Sequence, residues 1–224
     1  MVNGIRRYSV AAAWRKYGAA RLRPQKTVVY SGHADLWLAV VTSSTYSVTI
    51  LTSDGPDQMS YIPRDDRPVD KAEAYLEVES EILAVLEGET DRVARMATVA
   101  AMLADAFNDY FWTGFYVVDP ARDRELVVGP YQGTLGCLRI AFGRGVCGTA
   151  AETRQTQIVQ DVHAFPGHIA CDGRSESEIV VPVFDAGGAL IAVFDVDATT
   201  RAAFDTVDAQ ALERLMARVF GADA

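Results

Sequence analysis

Glu178-Ile-Val-Val-Pro-Val-Phe184, then Asp-Ala-Gly-Gly, then Ala189-Leu-Ile-Ala-Val-Phe-Asp-Val-Asp197, is the stretch whose reading decides the fold. Two apolar, β-branched runs meet across Gly187-Gly188, which is the signature of a hairpin. Paired strands joined this way are antiparallel and need no helical crossover. Upstream, residues 111–119 are aromatic and β-branched, 120–124 read as a turn, and 125–129 read as a strand. A second hairpin is therefore predicted. Residues 137–141 and 156–159 are shorter strand candidates. Helical spacing brackets these strands. Tyr75, Leu76, Ile82, Leu83 and Leu86 recur at intervals suited to a helix face, and Gly88 ends the run. Thr90 and Asp91 can cap a second helix with Val93, Met96, Ala97, Ala100, Leu103 and Phe107 on one face. A last helix is predicted from about 206 to 220, with Leu212, Leu215, Met216 and Val219 inward. Helices, hairpins and a final helix give an α+β domain: an antiparallel sheet with helices packed on it.

Charge divides the 224-residue chain. Residues 1–58 carry a net +4 and residues 59–224 a net −13. The first part reads as a basic extension, either a transit peptide or disordered, with β-prone segments over residues 36–52 that are too polar for a membrane helix. The second part, residues 59–224, reads as the main globular domain. An overall charge of −9 excludes nucleic acid as the main partner, because phosphate binding needs basic patches. Three cysteines exclude a disulfide-stapled secreted scaffold and suit a reducing compartment. The expected location is cytoplasmic, or mitochondrial if the basic segment is a transit peptide.

Four groups of residues carry chemistry. Gly143-Arg-Gly-Val-Cys-Gly148 fits the letters of a dinucleotide fingerprint, but that motif needs a parallel βαβ unit and its neighbours here are hairpins. A tight turn into a short helix over residues 149–153 is the expectation instead. Cys137, Cys147, His163, His168 and Cys171 form the second group. It admits a zinc site, a cysteine–histidine hydrolase or a thiol redox pair. Cys171 lies in the long unpatterned segment 160–177, the kind of loop that usually carries function. The third group is acidic. Asp195 and Asp197 share one face of their strand, and Glu178 begins the neighbouring strand. Three acids in one pocket call for a cation or a shared proton. Trp112 and Tyr116 form the fourth group, again on one face, as core or as an apolar wall.

Several motifs occur together and in order: Trp112-Thr-Gly-Phe-Tyr116, Leu126-Val-Val-Gly-Pro-Tyr-Gln-Gly133, Gly143-Arg-Gly-Val-Cys-Gly-Thr-Ala-Ala151, Asp161-Val-His-Ala-Phe-Pro-Gly-His-Ile-Ala-Cys-Asp172, Ser175-Glu-Ser-Glu-Ile-Val-Val-Pro182 and Phe194-Asp-Val-Asp197. Over roughly residues 70–220 the chain resembles the free methionine-(R)-sulfoxide reductases, which have a GAF-type fold. The resemblance implies reduction of free L-methionine-(R)-S-oxide with Cys171 as the catalytic cysteine. It implies Cys137 as the resolving cysteine and Cys147 as a secondary partner. It assigns Trp112, Tyr116, Glu178, Asp195 and Asp197 to the substrate. It also implies a cysteine sulfenic acid, an intramolecular disulfide recycled by thioredoxin or a similar dithiol, and a homodimer. No metal or organic cofactor and no membrane or nucleic-acid partner is expected. The alternative is a GAF sensor that binds a small molecule without turnover.

Overall fold

The computed structural model describes four strands within residues 6–52, then residues 68, 70–169 and 171–221. Two compact units, Met1–Ile62 and Pro63–Ala224, divide the chain. In the first, β1 (Arg6–Ser9), β2 (Val28–Gly32), β3 (Asp35–Val41) and β4 (Ser47–Thr52) form an antiparallel sheet in the order β1-β4-β3-β2. The β-prone stretch 36–52 holds β3 and β4. Most residues on which the transit-peptide or disorder expectation rests lie outside those described.

The second unit begins with α1 (Lys71–Val85) and α2 (Arg92–Ala106). Strands β5 (Trp112–Val118), β6 (Glu125–Gln132) and β7 (Arg139–Ala141) follow. Then come α3 (Gly145–Thr153), β8 (Gln157–Val159) and a 3₁₀ turn at Val162–Ala164. The unit closes with β9 (Ser177–Phe184), β10 (Leu190–Ala198) and α4 (Thr206–Phe220). The sheet order is β7-β6-β5-β10-β9-β8, and every pair is antiparallel. Strands β7 and β8, which flank the glycine motif, both pair antiparallel, so the motif lacks the βαβ setting of the dinucleotide fingerprint. Among those residues no helix is long and apolar enough to cross a membrane.

The sheet has two distinct faces, and strand alternation separates them. Phe115, Ile179, Val181, Phe194 and Val196 point to one face and pack with α1, α2 and α4. Phe115 and Phe194 are wholly buried there, with ring centroids 4.9 Å apart. Burial of each such ring contributes about 1.5–3 kcal/mol. The opposite face carries Trp112, Tyr116, Val180 and Val193 and packs against α3. The helical layer is fastened by polar groups. Asp91 caps α2 through the Ala94 amide, and Asp205 and Asp208 form a capping box on α4. The Tyr75 hydroxyl donates to Asp208 and contacts the Tyr110 hydroxyl, while Lys71 pairs with Asp208. Buried Glu79 accepts from Arg214 and Arg218, tying α1 to α4.

Several expected details change. Val93 and Ala97 are exposed, and Val99 and Met102 take their places in the core. Leu76 is 57 % exposed. Which of several apolar residues on a helix faces the sheet depends on its packing, which spacing alone does not fix. Strand β6 runs through Pro130 to Gln132. That proline is tolerated because β7 pairs only with Glu125–Val127 and asks nothing of its missing N–H. Strand β7 starts at Arg139, which leaves Cys137 in a loop. Helix α3 begins at Gly145, four residues before its expected start. Gly148 sits where a Cβ would strike the Ala141 carbonyl oxygen, so the helix can pack tightly on β7.

Candidate active site

The register of the central strands builds the site. Asp197 lies opposite Trp112 on β5 and opposite Glu178 on β9. Asp195 lies opposite Gly114 and Val180. Residues directly across from one another share a face. Trp112, Tyr116, Glu178, Asp195 and Asp197 therefore project together from the face opposite the main core. Helix α3 covers this face and inserts Cys147. Two loops complete the enclosure: residues 133–138 bring Leu135 and Gly136, next to Cys137, and the segment after β8 brings His168, Ile169 and Cys171. The cavity that remains is about 30 Å³.

Cys137 and Cys171 are joined by a disulfide at the mouth of this cavity, with Cα atoms 5.4 Å apart. Cys171 is exposed and Cys137 partly so. Cys147 remains a free thiol, 4 % exposed, with Sγ 3.9 Å from Glu178 Oε1. With two cysteines committed to each other, the five-residue Cys/His zinc set is not available in this form. His163 also leaves that set: it is exposed, pairs with Glu176 at 3.5 Å and does not line the cavity. His168 does line it, with Nε2 3.8 Å from Glu178 Oε2.

Burial dominates the electrostatics. Glu178 and Asp195 are held well above the ordinary carboxylate range by desolvation and by the neighbouring acids. Asp195 Oδ1 is buried with no hydrogen-bond partner. Asp197 is raised to about 6, again chiefly by desolvation, although Ser175 donates to its carboxylate. Burial and the charges of Asp195 and Glu178 push the Cys147 thiol up. Burial lowers His168, so it stands neutral beside the acids.

Around this centre the loops are pinned. The Asp172 carboxylate accepts from Arg174 Nε and a terminal guanidinium nitrogen at 2.9 and 2.7 Å, which holds it well below its usual range. Arg174 also lies 4.5 Å from the Phe111 ring centroid. Its charge is thus spent on Asp172, and neither Arg174 nor neutral His168 supplies a free cation to Cys171. Asp172 Oδ2 accepts from Thr134 Oγ1 at 2.8 Å, which links the two cysteine loops. Trp112 Nε1 donates to the Thr134 carbonyl at 3.0 Å. The Trp112 indole stacks between Tyr116 and Tyr131, with centroids 5.5 and 5.2 Å away. Arg144, the N-cap of α3, provides no side-chain cap, and the first turn of that helix lines the cavity.

Sequence reasoning missed Gly136, Ser175, Thr134, Tyr131 and Ile169. Gly136 had a readable signal beside Cys137. A Cβ there would stand 2.8 Å from Tyr116 Oη and 3.1 Å from the Trp112 ring, so only glycine lets the loop cross that aromatic pair. Thr134 had none, because its partner Asp172 lies 38 residues away.

Residues 90–219 match the GAF domain family. The free methionine-R-sulfoxide reductase of Saccharomyces cerevisiae is 43 % identical over 133 residues, covering 58 % of this chain and 74 % of the relative. The Escherichia coli protein of the same name is 42 % identical over 151 residues, covering 67 % and 89 %. The crystal structure of the Neisseria meningitidis free methionine-R-sulfoxide reductase in complex with its substrate superposes with a TM-score of 0.66 at 47 % identity. That match covers 71 % of this chain and 94 % of the other.

Proposed function

This chain belongs to the GAF-domain family of free methionine-R-sulfoxide reductases, and on that premise we propose that it reduces free L-methionine-(R)-S-oxide to L-methionine through the pair Cys171 and Cys137. The observation that carries the reading is the Cys137–Cys171 disulfide at the mouth of a cavity floored by buried acids. The buried carboxylates of Glu178 and Asp195, with Asp197, receive the substrate ammonium, and Asp195 Oδ1 is the acceptor still lacking a donor. The uncapped first turn of α3 faces the substrate carboxylate, since helix N-termini favour anions. Trp112 and Tyr116 hold the methyl-sulfinyl end.

The Cys171 thiolate attacks the sulfoxide sulfur, the oxygen passes, protonated, from the substrate sulfur to Cys171 as the substrate S–O bond breaks, and methionine leaves. Cys171 is oxidised to the sulfenic acid as the sulfoxide is reduced. A carboxyl of the acidic cluster, kept protonated by burial, hands its proton to the departing oxygen. Cys137 then attacks the sulfenic sulfur, releasing water and forming the disulfide. The exposure of Cys171 supports reduction by an external dithiol of thioredoxin type, which suits a reducing, cytoplasmic setting. Cys147, buried and bonded toward Glu178, stands outside this cycle as an occasional partner at most. The sequence resemblance supports a homodimer.

The test is turnover of purified protein with a dithiol, using free against peptide-bound (R)-sulfoxide. Methionine should form from the free compound alone. Binding of the free sulfoxide without methionine release would instead make the chain a sensor.

A further inference from the structure

The one thiol left outside the disulfide meets two carboxylates in the interior. Cys147 Sγ and one carboxylate oxygen each from Glu178 and Asp195 lie within 4.8 Å of one another. All three residues are buried, on α3, β9 and β10 respectively. Packed elements on both sides fix their positions. Asp195 lines the cavity, and its buried Oδ1 accepts no hydrogen bond. A buried carboxylate oxygen with no partner calls for a donor or a cation.

We propose that Cys147, Glu178 and Asp195 form a binding site for a thiophilic divalent cation of the zinc type, available in the disulfide form. One sulfur and two carboxylate oxygens are a donor set that zinc accepts, at about 2.3 Å from sulfur and about 2.0–2.2 Å from oxygen. Closing the trio on such an ion requires its ligand atoms, within 4.8 Å of one another, to approach by up to about 1.4 Å. Three protein ligands leave a fourth position for water. The cavity of about 30 Å³ exceeds the roughly 10–15 Å³ that one water needs. The disulfide form thus has room for a hydrated ion. Binding exchanges the thiol proton, and any proton held on the Glu178 and Asp195 carboxyls, for the metal: the protons leave to solvent, the sulfur–metal and oxygen–metal bonds form, and no electron moves. Among the residues lining the cavity the only arginine is Arg144, and there is no lysine.

The other acid–histidine group, Asp161, His163 and Glu176, carries no such proposal. Arg201 already reaches Asp161 and Glu176, both at 2.9 Å. Because the proposed substrate ammonium uses the same carboxylates, ion and substrate exclude each other. That corollary rests on the reductase reading, whereas the ion site does not.

The test titrates the full-length disulfide form with Co²⁺. Cys147 is then the single free cysteine, so any thiolate-to-cobalt charge-transfer absorbance in the near ultraviolet must come from it. The expected result is that band, saturating at one Co²⁺ per chain and removed by one equivalent of Zn²⁺. Cys147→Ala should lack the band. Asp195→Asn, which keeps the thiol, should bind Co²⁺ at least about tenfold more weakly. No band in the wild-type protein, the same band in Cys147→Ala, or wild-type affinity in Asp195→Asn overturns the site. Turnover is not the readout, so failed cobalt binding leaves the reductase reading standing, and failed turnover leaves the ion site standing.

Discussion

Replacing Asp197 by asparagine should make the protein more stable and less active, and the two effects should separate with pH. Desolvation raises this carboxyl from the ordinary 3.8 to about 6 in the folded chain. That rise corresponds to a penalty of about 3 kcal/mol on the charged form. The residue keeps some solvent contact, which screens it, so about 2 kcal/mol is the working figure. The sign follows from the two protonation states. Below pH 3.8 the carboxyl carries its proton in both folded and unfolded chains and contributes nothing. Between 3.8 and about 6 the unfolded chain sheds the proton first, so the penalty on folding grows. Above about 6 both states are charged and the full penalty remains.

The asparagine side chain removes that charge while its amide can keep a contact with Ser175. At pH 8, without ligand, the melting temperature of Asp197→Asn should rise by about 4–8 °C, taking about 2–4 °C per kcal/mol for a domain of this size. At pH 4 the gain should shrink to under about 1 kcal/mol. Activity should fall about 10- to 100-fold at pH 8, the worth of a hydrogen bond to a charged group. Thermal melts at both pH values and steady-state turnover measure these quantities. A variant no more stable than wild type at pH 8, or equally stabilised at pH 4, would refute the burial argument. Unchanged turnover would remove Asp197 from the substrate site.

Cys171→Ser should bind the free sulfoxide, seen by calorimetry, and release no methionine; any retained turnover rules out this nucleophile. Cys137→Ser should release one equivalent of methionine per chain and then stall with thioredoxin, and normal cycling would move the resolving role to Cys147. Thr134→Val removes the hydroxyl that joins the cysteine loops through Asp172. It should slow disulfide closure about fivefold, as one net hydrogen bond allows, with the first release of methionine unaltered. Quenched-flow thiol counting would show this, and Thr134→Ser should restore the rate. Trp112→Ala strips the centre from the Tyr116–Trp112–Tyr131 stack and should cost about 3–5 kcal/mol in chemical denaturation, along with a higher KM; a loss under about 1 kcal/mol would mean the stack is slack.

The parts of this architecture that follow local rules could be read from the chain. Alternation placed Asp195 and Asp197 on one face, the glycine pair placed the β9–β10 turn, and spacing located α4 over Thr206–Phe220. The acids, the aromatic pair and the three cysteines were all recognisable by type and order. What failed depends on angle or distance. Val99 rather than Val93 enters the core. The Thr134–Asp172 bond, the Ser175 contact and the crossing of Gly136 over Tyr116 join segments that no periodicity relates. The fate of Cys147 was equally hidden, because a buried thiol beside two acids and a buried thiol in an apolar core look the same in sequence.

The strand β10 shows why the acids can be tolerated at all. Phe194 and Val196 are wholly buried in the helical core, while Asp195 and Asp197 alternate with them toward the cavity. A slip of one residue against β5 or β9 would exchange the two sets. It would drive two carboxylates into the apolar layer beneath α1, α2 and α4 and expose a phenylalanine to the site. The cost, several kcal/mol for each unpaired buried charge, exceeds what most alternative pairings could recover. The same acids that weaken the folded domain at neutral pH therefore enforce its register. Neutralising both should relax that control, and hydrogen exchange of the β10 amides in an Asp195→Asn, Asp197→Asn double variant should read it. Faster exchange confined to β10 and its partners, in a protein whose melting temperature has risen, is the expected outcome. Unaltered protection would show that Phe194 and the hairpin turn hold the register unaided.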